Sequence, residues 1–99
     1  MRFSLLTFIA LFTSVAFGQD NVLIERSYWK DAPTLEKVKA DIAAGNDPAA
    51  FNEHTFDAVT WAILEKADDA IVWYLLEQPG NDVNKRSHDG RTPILWAAY

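Results

Sequence analysis

The chain has 99 residues, of which 9 are Lys or Arg and 14 are Asp or Glu, so its formal net charge is −5. This length allows at most one small domain, and an acidic protein is repelled by phosphate backbones, which argues against nucleic acid as a partner. The sequence contains no cysteine, which excludes disulfides, thiolate zinc sites and cysteine nucleophiles.

Residues 1–18 have the order of features that defines a secretory signal peptide. Arg2 precedes an apolar run over residues 3–12, and the small residues Ala16 and Gly18 follow at the spacing that a signal peptidase accepts. The run is shorter than the about 20 residues of a membrane span, although an uncleaved N-terminal anchor is the alternative. We expect cleavage after Gly18, export to the periplasm or the medium, and no membrane association of the mature protein.

The segment 19–33 is predicted to be an N-terminal extension, and a first helix is predicted over residues 34–44. Its apolar positions, Leu35, Val38 and Ile42, recur at helical spacing on one side only. Tyr28 and Trp29 precede this helix and either cover it as a lid or stay exposed as an anchor for a partner. The sequence leaves both alternatives open.

The chain then repeats itself at an interval of 35 residues. Gly45-Asn46-Asp47 recurs as Gly80-Asn81-Asp82, and Trp61-Ala62 recurs as Trp96-Ala97. A period of this length indicates one supersecondary unit that buries its apolar face against neighbouring copies. Stacking of this kind enlarges the core of a small exported protein that has no disulfides.

Helices are predicted over residues 34–44, 48–54, 57–65, 69–78 and 93–99. The run from Ile71 to Leu76 is apolar on every side, which requires neighbours all round. Trp73 and Leu75 are therefore both expected in the core, with most other aromatic residues, and alanine at either position is expected to destabilise the fold. Asp68 and Asp69 fit the start of a helix better than a catalytic carboxylate pair.

Two later segments carry a family resemblance. Residues 88–98, His-Asp-Gly-Arg-Thr-Pro-Ile-Leu-Trp-Ala-Ala, resemble the opening of an ankyrin repeat, in which a glycine turn precedes Thr-Pro-Leu-His-x-Ala. Residues 75–84, Leu-Leu-Glu-Gln-Pro-Gly-Asn-Asp-Val-Asn, are similar to the ankyrin stretch that closes the second helix. Thr92 is expected to cap the next helix, with Pro93 at its first position. Leu95, and Thr60 in the earlier copy, stand where the family has His.

The resemblance implies an all-α fold, an ankyrin-repeat solenoid of helix pairs joined by hairpin loops and preceded by a signal-peptide helix. It divides the chain into a capping repeat over 34–56, a repeat over 57–91 and a truncated repeat over 92–99. Because the last unit would expose an apolar helix, we expect further repeats after residue 99.

The function that the resemblance implies is a protein-binding scaffold with no enzyme activity and no cofactor or metal. Its partner, a protein of unknown identity, would contact the hairpin loops and the concave face of the first helices. The candidate contact residues are Asn84, Lys85, Arg86, Ser87, His88, Glu53 and His54. The alternative is a recognition module of a larger exported enzyme whose catalytic domain lies beyond residue 99.

Neither histidine is expected to do chemistry. His54 and His88 lack metal-ligand spacing and are predicted to be solvated loop residues, and the adjacent Ser87, His88 and Asp89 do not make a catalytic triad. Lys85 is likewise expected at a solvated fingertip, so that Lys85→Ala would hardly affect folding.

Overall fold

The computed structural model describes residues 20–99, and the predicted signal peptide over residues 1–18 lies outside them. Regular structure within the described residues is helical, and they contain no strand beyond an isolated bridge between Phe51 and Asp57. The predicted all-α fold class is therefore confirmed for this part of the chain.

Residues 20–99 form five α-helices: α1 (Arg26–Lys30), α2 (Leu35–Ala43), α3 (Ala58–Leu64), α4 (Asp69–Leu76) and α5 (Pro93–Ala97). Short 3-10 turns lie at Val22–Ile24 and His88–Gly90. The helices predicted over 34–44, 57–65, 69–78 and 93–99 correspond to α2, α3, α4 and α5 with shorter ends. The extension also contains a helix, α1, which the sequence pattern did not predict.

Side-chain caps explain where two of the helices begin. Thr34 Oγ1 accepts a hydrogen bond from the amide of Lys37 at 3.1 Å at the start of α2, and an Asp57 carboxylate oxygen accepts one from the amide of Thr60 at 2.9 Å at the start of α3. Thr92 occupies the corresponding position before α5, but its side chain caps no amide. The predicted cap is therefore wrong. Pro93 occupies the first position of α5, and its fixed φ favours the start of the helix there.

The helix predicted over residues 48–54 does not form. Asn52 Oδ1 accepts hydrogen bonds from the backbone amides of His54 at 2.8 Å and Phe56 at 3.0 Å. The backbone amide of Asn52 in turn donates to the Phe56 carbonyl. An Asn side chain that satisfies nearby amides competes with helical hydrogen bonding. Thr55 also has a positive φ of 66°, so the segment is a tight hairpin-like loop and the helix prediction is wrong.

The helices pack in two rows. α3 lies between α1 and α5 in one row, α4 lies beside α2 in the other, and α3 also packs against α4. Each helix of the first row contributes one buried tryptophan: Trp29, Trp61 and Trp96. The indole of Trp29 donates to the Leu23 carbonyl at 2.9 Å, so Trp29 covers the core as a lid and is not an exposed anchor.

Tyr28 ties α1 to α2. Its hydroxyl donates to Asp41 Oδ2 at 2.7 Å, and this hydrogen bond holds the pKa of the Asp41 carboxyl below its usual value. Burial, with the adjacent carboxylate, raises the pKa of the Tyr28 phenol. The extension is therefore fixed to the helices by a charge-assisted hydrogen bond as well as by apolar packing.

One residue of α4 that the sequence pattern places in the core is exposed in the structure. Leu75 is 0 % exposed and belongs to the core with Ile71, whereas Trp73 is 62 % exposed. Phe51 and Tyr99 are exposed as well. The expectation that Trp73 lies in the core is wrong because, within residues 20–99, neighbouring helices cover only one side of α4.

Gly80 lies close to Ala49, in the loop one repeat earlier. A Cβ at this position would lie 2.8 Å from the Cβ of Ala49, and Gly80 has a φ of +89°. We expect Gly80→Ala to lower the free energy of unfolding by about 1–3 kcal/mol, since overpacking and left-handed strain add. Urea unfolding followed by circular dichroism measures the change.

The matched control for Gly80 is Gly45→Ala. Gly45 also has a positive φ, +112°, but a Cβ there would meet no atom within 4 Å. Both substitutions introduce backbone strain, and only the one at Gly80 adds the clash. Equal losses of stability in the two variants would show that the close approach to Ala49 carries no cost.

Candidate binding surface

Two loops lie at the same end of the helices and have the same construction. The first loop covers residues 45–57 and the second loop covers residues 80–92. Asp47 Oδ1 accepts from the amide of Ala49 at 2.9 Å, and Asp82 Oδ1 accepts from the amide of Asn84 at 2.8 Å. Each aspartate thus forms a turn with its own backbone, at positions 35 residues apart.

The tips of the two loops also correspond. In the second loop the Ser87 amide donates to the Arg91 carbonyl at 2.9 Å, which matches the bond from the Asn52 amide to the Phe56 carbonyl at 2.8 Å in the first loop. Gly90 has a φ of 70°, close to the 66° of Thr55 in the first loop. The sequence repeat is therefore also a repeat of backbone geometry.

Lys85 joins the second loop to the first. Its ammonium group donates to the Ala49 carbonyl at 2.7 Å and to Asn81 Oδ1 at 2.8 Å, and it lies 3.0 Å from Asp57 Oδ2. The Lys85 side chain is only 15 % exposed. The predicted fingertip role is wrong, because a carboxylate and a carbonyl from the first loop and the asparagine of its own loop draw the ammonium inward.

Ser87 is also internal. Its hydroxyl oxygen accepts from the indole of Trp96 at 2.8 Å and lies 3.0 Å from Thr60 Oγ1. The Thr60 hydroxyl donates to Asp57 Oδ1 at 2.7 Å. A buried hydrogen-bond chain therefore runs from α5 through the second loop to α3. Ser87 lies within this chain, so it does not offer the partner contact that was predicted for it.

His88 ties the two loop tips together. Its Nδ1 lies 2.7 Å from the backbone carbonyl of His54, and since a carbonyl only accepts, Nδ1 carries the proton of this bond. The ring stacks on Phe56 with centroids 4.3 Å apart, and Phe56 in turn stacks on Trp61. His88 is thus partly covered and is not the solvated loop residue that was predicted.

Four predicted contact residues remain at the surface. Glu53, His54, Asn84 and Arg86 are exposed, and we call this set the loop-tip surface. The Glu53 carboxylate lies 3.3 Å from His54 Nε2, and the Arg86 guanidinium donates to the Gly90 carbonyl at 3.4 Å. Within residues 20–99, no group of three or more His, Asp or Glu side chains is placed to hold a metal ion.

A second surface was missed by the sequence pattern. An apolar groove of about 890 Å³ lies between α4 and α5, and we call it the α4–α5 groove. Its walls are formed by Val72, Trp73 and Leu76 of α4 and by Pro93, Ile94 and Ala97 of α5. The apolar positions of α4 match those of α2, and the positions on α2 are covered by other helices. This match in the sequence would have indicated that α4 carries a similar apolar surface.

No helix in residues 20–99 is long and apolar enough to cross a membrane. Neither family models nor curated proteins nor solved structures yield a match to the chain. The loop-tip surface and the α4–α5 groove are therefore the features from which a function is inferred.

Proposed function

We propose that the chain is a protein-binding scaffold of the ankyrin-repeat type that takes a partner protein at the loop-tip surface. The observation that carries the proposal is the pair of ties between the loops, from Lys85 Nζ to the Ala49 carbonyl and from His88 Nδ1 to the His54 carbonyl. These bonds hold the exposed tips at a fixed spacing. A preorganised surface loses little conformational entropy on binding, which favours affinity.

The chemistry of the tips supports recognition of a polar protein surface. Arg86 offers a planar set of donors that fits a carboxylate, Asn84 offers both a donor and an acceptor, and Glu53 supplies a negative charge one repeat away. The fold itself implies no reaction. Binding through residues spread over two repeats agrees with a scaffold whose specificity depends on the loop side chains.

Photo-crosslinking tests this proposal in cells that produce the protein. A benzophenone amino acid is placed at position 86 or 54 in the loop-tip surface, and at Glu36 on α2 as a control, since all three positions are exposed. We expect a discrete adduct with the same protein from positions 86 and 54 and none from position 36. The proposal fails if no adduct forms at the tips, or if all three positions label the same proteins equally.

A purified partner then allows a quantitative test. Arg86→Ala is expected to weaken binding by about tenfold or more, because truncating one partner of a charge pair that binding buries costs about 2–5 kcal/mol, and about 1.4 kcal/mol corresponds to tenfold. Lys30→Ala removes an exposed cation at the end of α1, away from the loop tips, and is the matched control. Equal effects of the two substitutions would indicate non-specific attraction between charges.

We also propose that the protein is exported and that its mature form starts at Gln19. Support comes from the basic, apolar and small-residue order of residues 1–18. N-terminal sequencing of protein recovered from the periplasm or the medium is expected to read Gln-Asp-Asn. Recovery of soluble cytoplasmic protein that retains Met1 would overturn this proposal.

A further inference from the structure

A cavity of about 360 Å³ lies between the N-terminal extension and the first loop, and we call it the extension cavity. It is lined by Ile24, Glu25, Phe51, Asn52, Glu53 and His54. Hydrogen bonds fix its walls, since the side chain of Asn52 and the indole of Trp61 both donate to the Ile24 carbonyl, at 3.4 Å and 3.0 Å. Ligand sites are usually preformed in this way.

Both walls of the extension cavity are present, which distinguishes it from the α4–α5 groove. The groove repeats the arrangement in which α2 and α3 hold α4, so it has the shape of a seat for one more helix pair of the same kind. The extension cavity instead lies between a loop and the start of a helix. The second loop and the start of α3 have the same relation, so the two repeats can be compared at this place.

In the second repeat the corresponding space is filled by a ring. The residues directly before the N-caps of α1 and α3 are Ile24 and Phe56, and Glu53 stands 35 residues before His88. The His88 ring stacks on Phe56 with centroids 4.3 Å apart. Their counterparts, Glu53 and Ile24, border the cavity. The second loop thus closes with its own imidazole a space that the first loop leaves open.

The cation of the second repeat also has no counterpart in the first. Asp57, the N-cap of α3, lies 3.0 Å from the Lys85 ammonium, and this ammonium lies 4.5 Å from the centroid of the Phe51 ring. The N-cap of α1 is Glu25, and the residue 35 positions before Lys85 is Ala50. The first repeat therefore has the acidic N-cap without the lysine.

The residues that line the cavity attract a positive charge. Glu25 and Glu53 are both exposed, and within residues 20–99 neither carboxylate forms an ion pair with Lys or Arg. Glu53 lies 3.3 Å from His54 Nε2. Phe51, which is 41 % exposed, adds an aromatic ring, and the face of such a ring attracts cations. Two carboxylates beside an exposed ring thus complement a single cationic group.

We infer that the extension cavity receives an arginine side chain of the partner protein. A guanidinium is flat, like the imidazole that fills the corresponding space in the second repeat, and its donors fit carboxylates in pairs. Glu25 and Glu53 supply those carboxylates, and Phe51 supplies a ring for stacking. The inference rests on the function proposed above, because Glu53 and His54 belong to the loop-tip surface where the partner binds.

Titration with an arginine derivative tests the cavity without the partner. The probe is N-acetyl-arginine methylamide, and the control is N-acetyl-citrulline methylamide, in which a neutral urea group replaces the guanidinium. Amide NMR spectra of the isotope-labelled full chain follow the binding. We expect saturable shifts at residues 24, 25 and 51–54 with the arginine probe, and binding of the citrulline control that is weaker by about fivefold or more.

Matched glutamate variants locate the binding. Glu53→Gln keeps the size of the side chain and removes its charge, and Glu36→Gln does the same at an exposed position on α2. Because both positions are exposed, neither substitution should disturb folding, which circular dichroism checks. We expect Glu53→Gln to weaken binding of the arginine probe by about threefold or more and Glu36→Gln to leave it almost unchanged.

Three results would overturn the inference. The first is the absence of saturable shifts with the arginine probe, and the second is equal binding of the citrulline control. The third is equal weakening by Glu53→Gln and Glu36→Gln, which would reduce the effect to net charge. Probe binding without a crosslinked partner at the loop tips would support the cavity while the scaffold function failed. Crosslinking to a partner without probe binding would remove the arginine inference alone.

Discussion

Asp57→Ala is expected to lower the free energy of unfolding by about 3–5 kcal/mol, the usual cost of removing one partner of a buried ion pair. Asp57 is 2 % exposed and accepts hydrogen bonds from the amide and the hydroxyl of Thr60. Its other carboxylate oxygen lies 3.0 Å from the ammonium of Lys85. The substitution therefore removes the cap of α3 and leaves a mostly buried cation with only neutral partners. Urea unfolding at neutral pH measures the loss.

Two further variants identify the source of that loss. Asp47→Ala removes an exposed carboxylate that accepts one backbone hydrogen bond, and it should cost about 1 kcal/mol or less. The double substitution Asp57→Ala with Lys85→Met should lose less stability than the two single losses combined, since no charge is then left unpaired. Strict additivity would contradict the coupling between Asp57 and Lys85.

Leu75→Ala is expected to lower the free energy of unfolding by about 2–5 kcal/mol. Leu75 is 0 % exposed and packs in the core that joins α4 to α2 and α3. Removing its isobutyl group leaves a cavity between two helix rows, and short helices in a small fold have little capacity to close it. Thermal and urea unfolding both report the change.

Trp73→Ala is the matched control on the same helix, two residues away. Because Trp73 is 62 % exposed, its loss should change stability by about 1 kcal/mol at most, although more atoms are removed. A larger loss for Trp73 than for Leu75 would mean that the outer side of α4 is covered in solution.

The two α4 residues also show how far the sequence predicts the fold. The helix itself was predictable, since Asp68 and Asp69 mark its start and Pro79 and Gly80 follow its end. Its orientation was not, because the run from Ile71 to Leu76 contains no charged residue that distinguishes one side from the other. Only the positions of α2 and α3 decide which residues are covered.

The loops show a different limit. Lys85 lies in a polar loop, where lysine is normally solvated, and nothing local indicates that Asp57, 28 residues earlier, approaches it. The short helix predicted over 48–54 failed for a local reason, because Asn52 binds amides that a helix would need. Asparagine generally favours turns, so Asn52 was a sequence signal against a helix. The helix prediction followed instead from the alanines that precede it.

The sequence predicted the exposure of some of the candidate contact residues and not of others. Both loops do lie together, and Glu53, His54, Asn84 and Arg86 are exposed as expected. Periodicity does not reveal which loop side chains turn inward, since that depends on acceptors in the neighbouring repeat. The α4–α5 groove was harder still to predict, because it is defined by the gap between two helices and not by any motif.

The ties between the repeats have a consequence for how such a chain changes over evolutionary time. The hydrogen bonds from Asn81 to Pro48, His88 to His54 and Lys85 to Ala49 join residues 33, 34 and 36 positions apart. Each bond thus reaches back by about one repeat. An in-frame duplication of residues 57–91 would therefore place a second Asn81, Lys85 and His88 one repeat after the backbone of the preceding loop, whereas a deletion of those residues would remove all three donors.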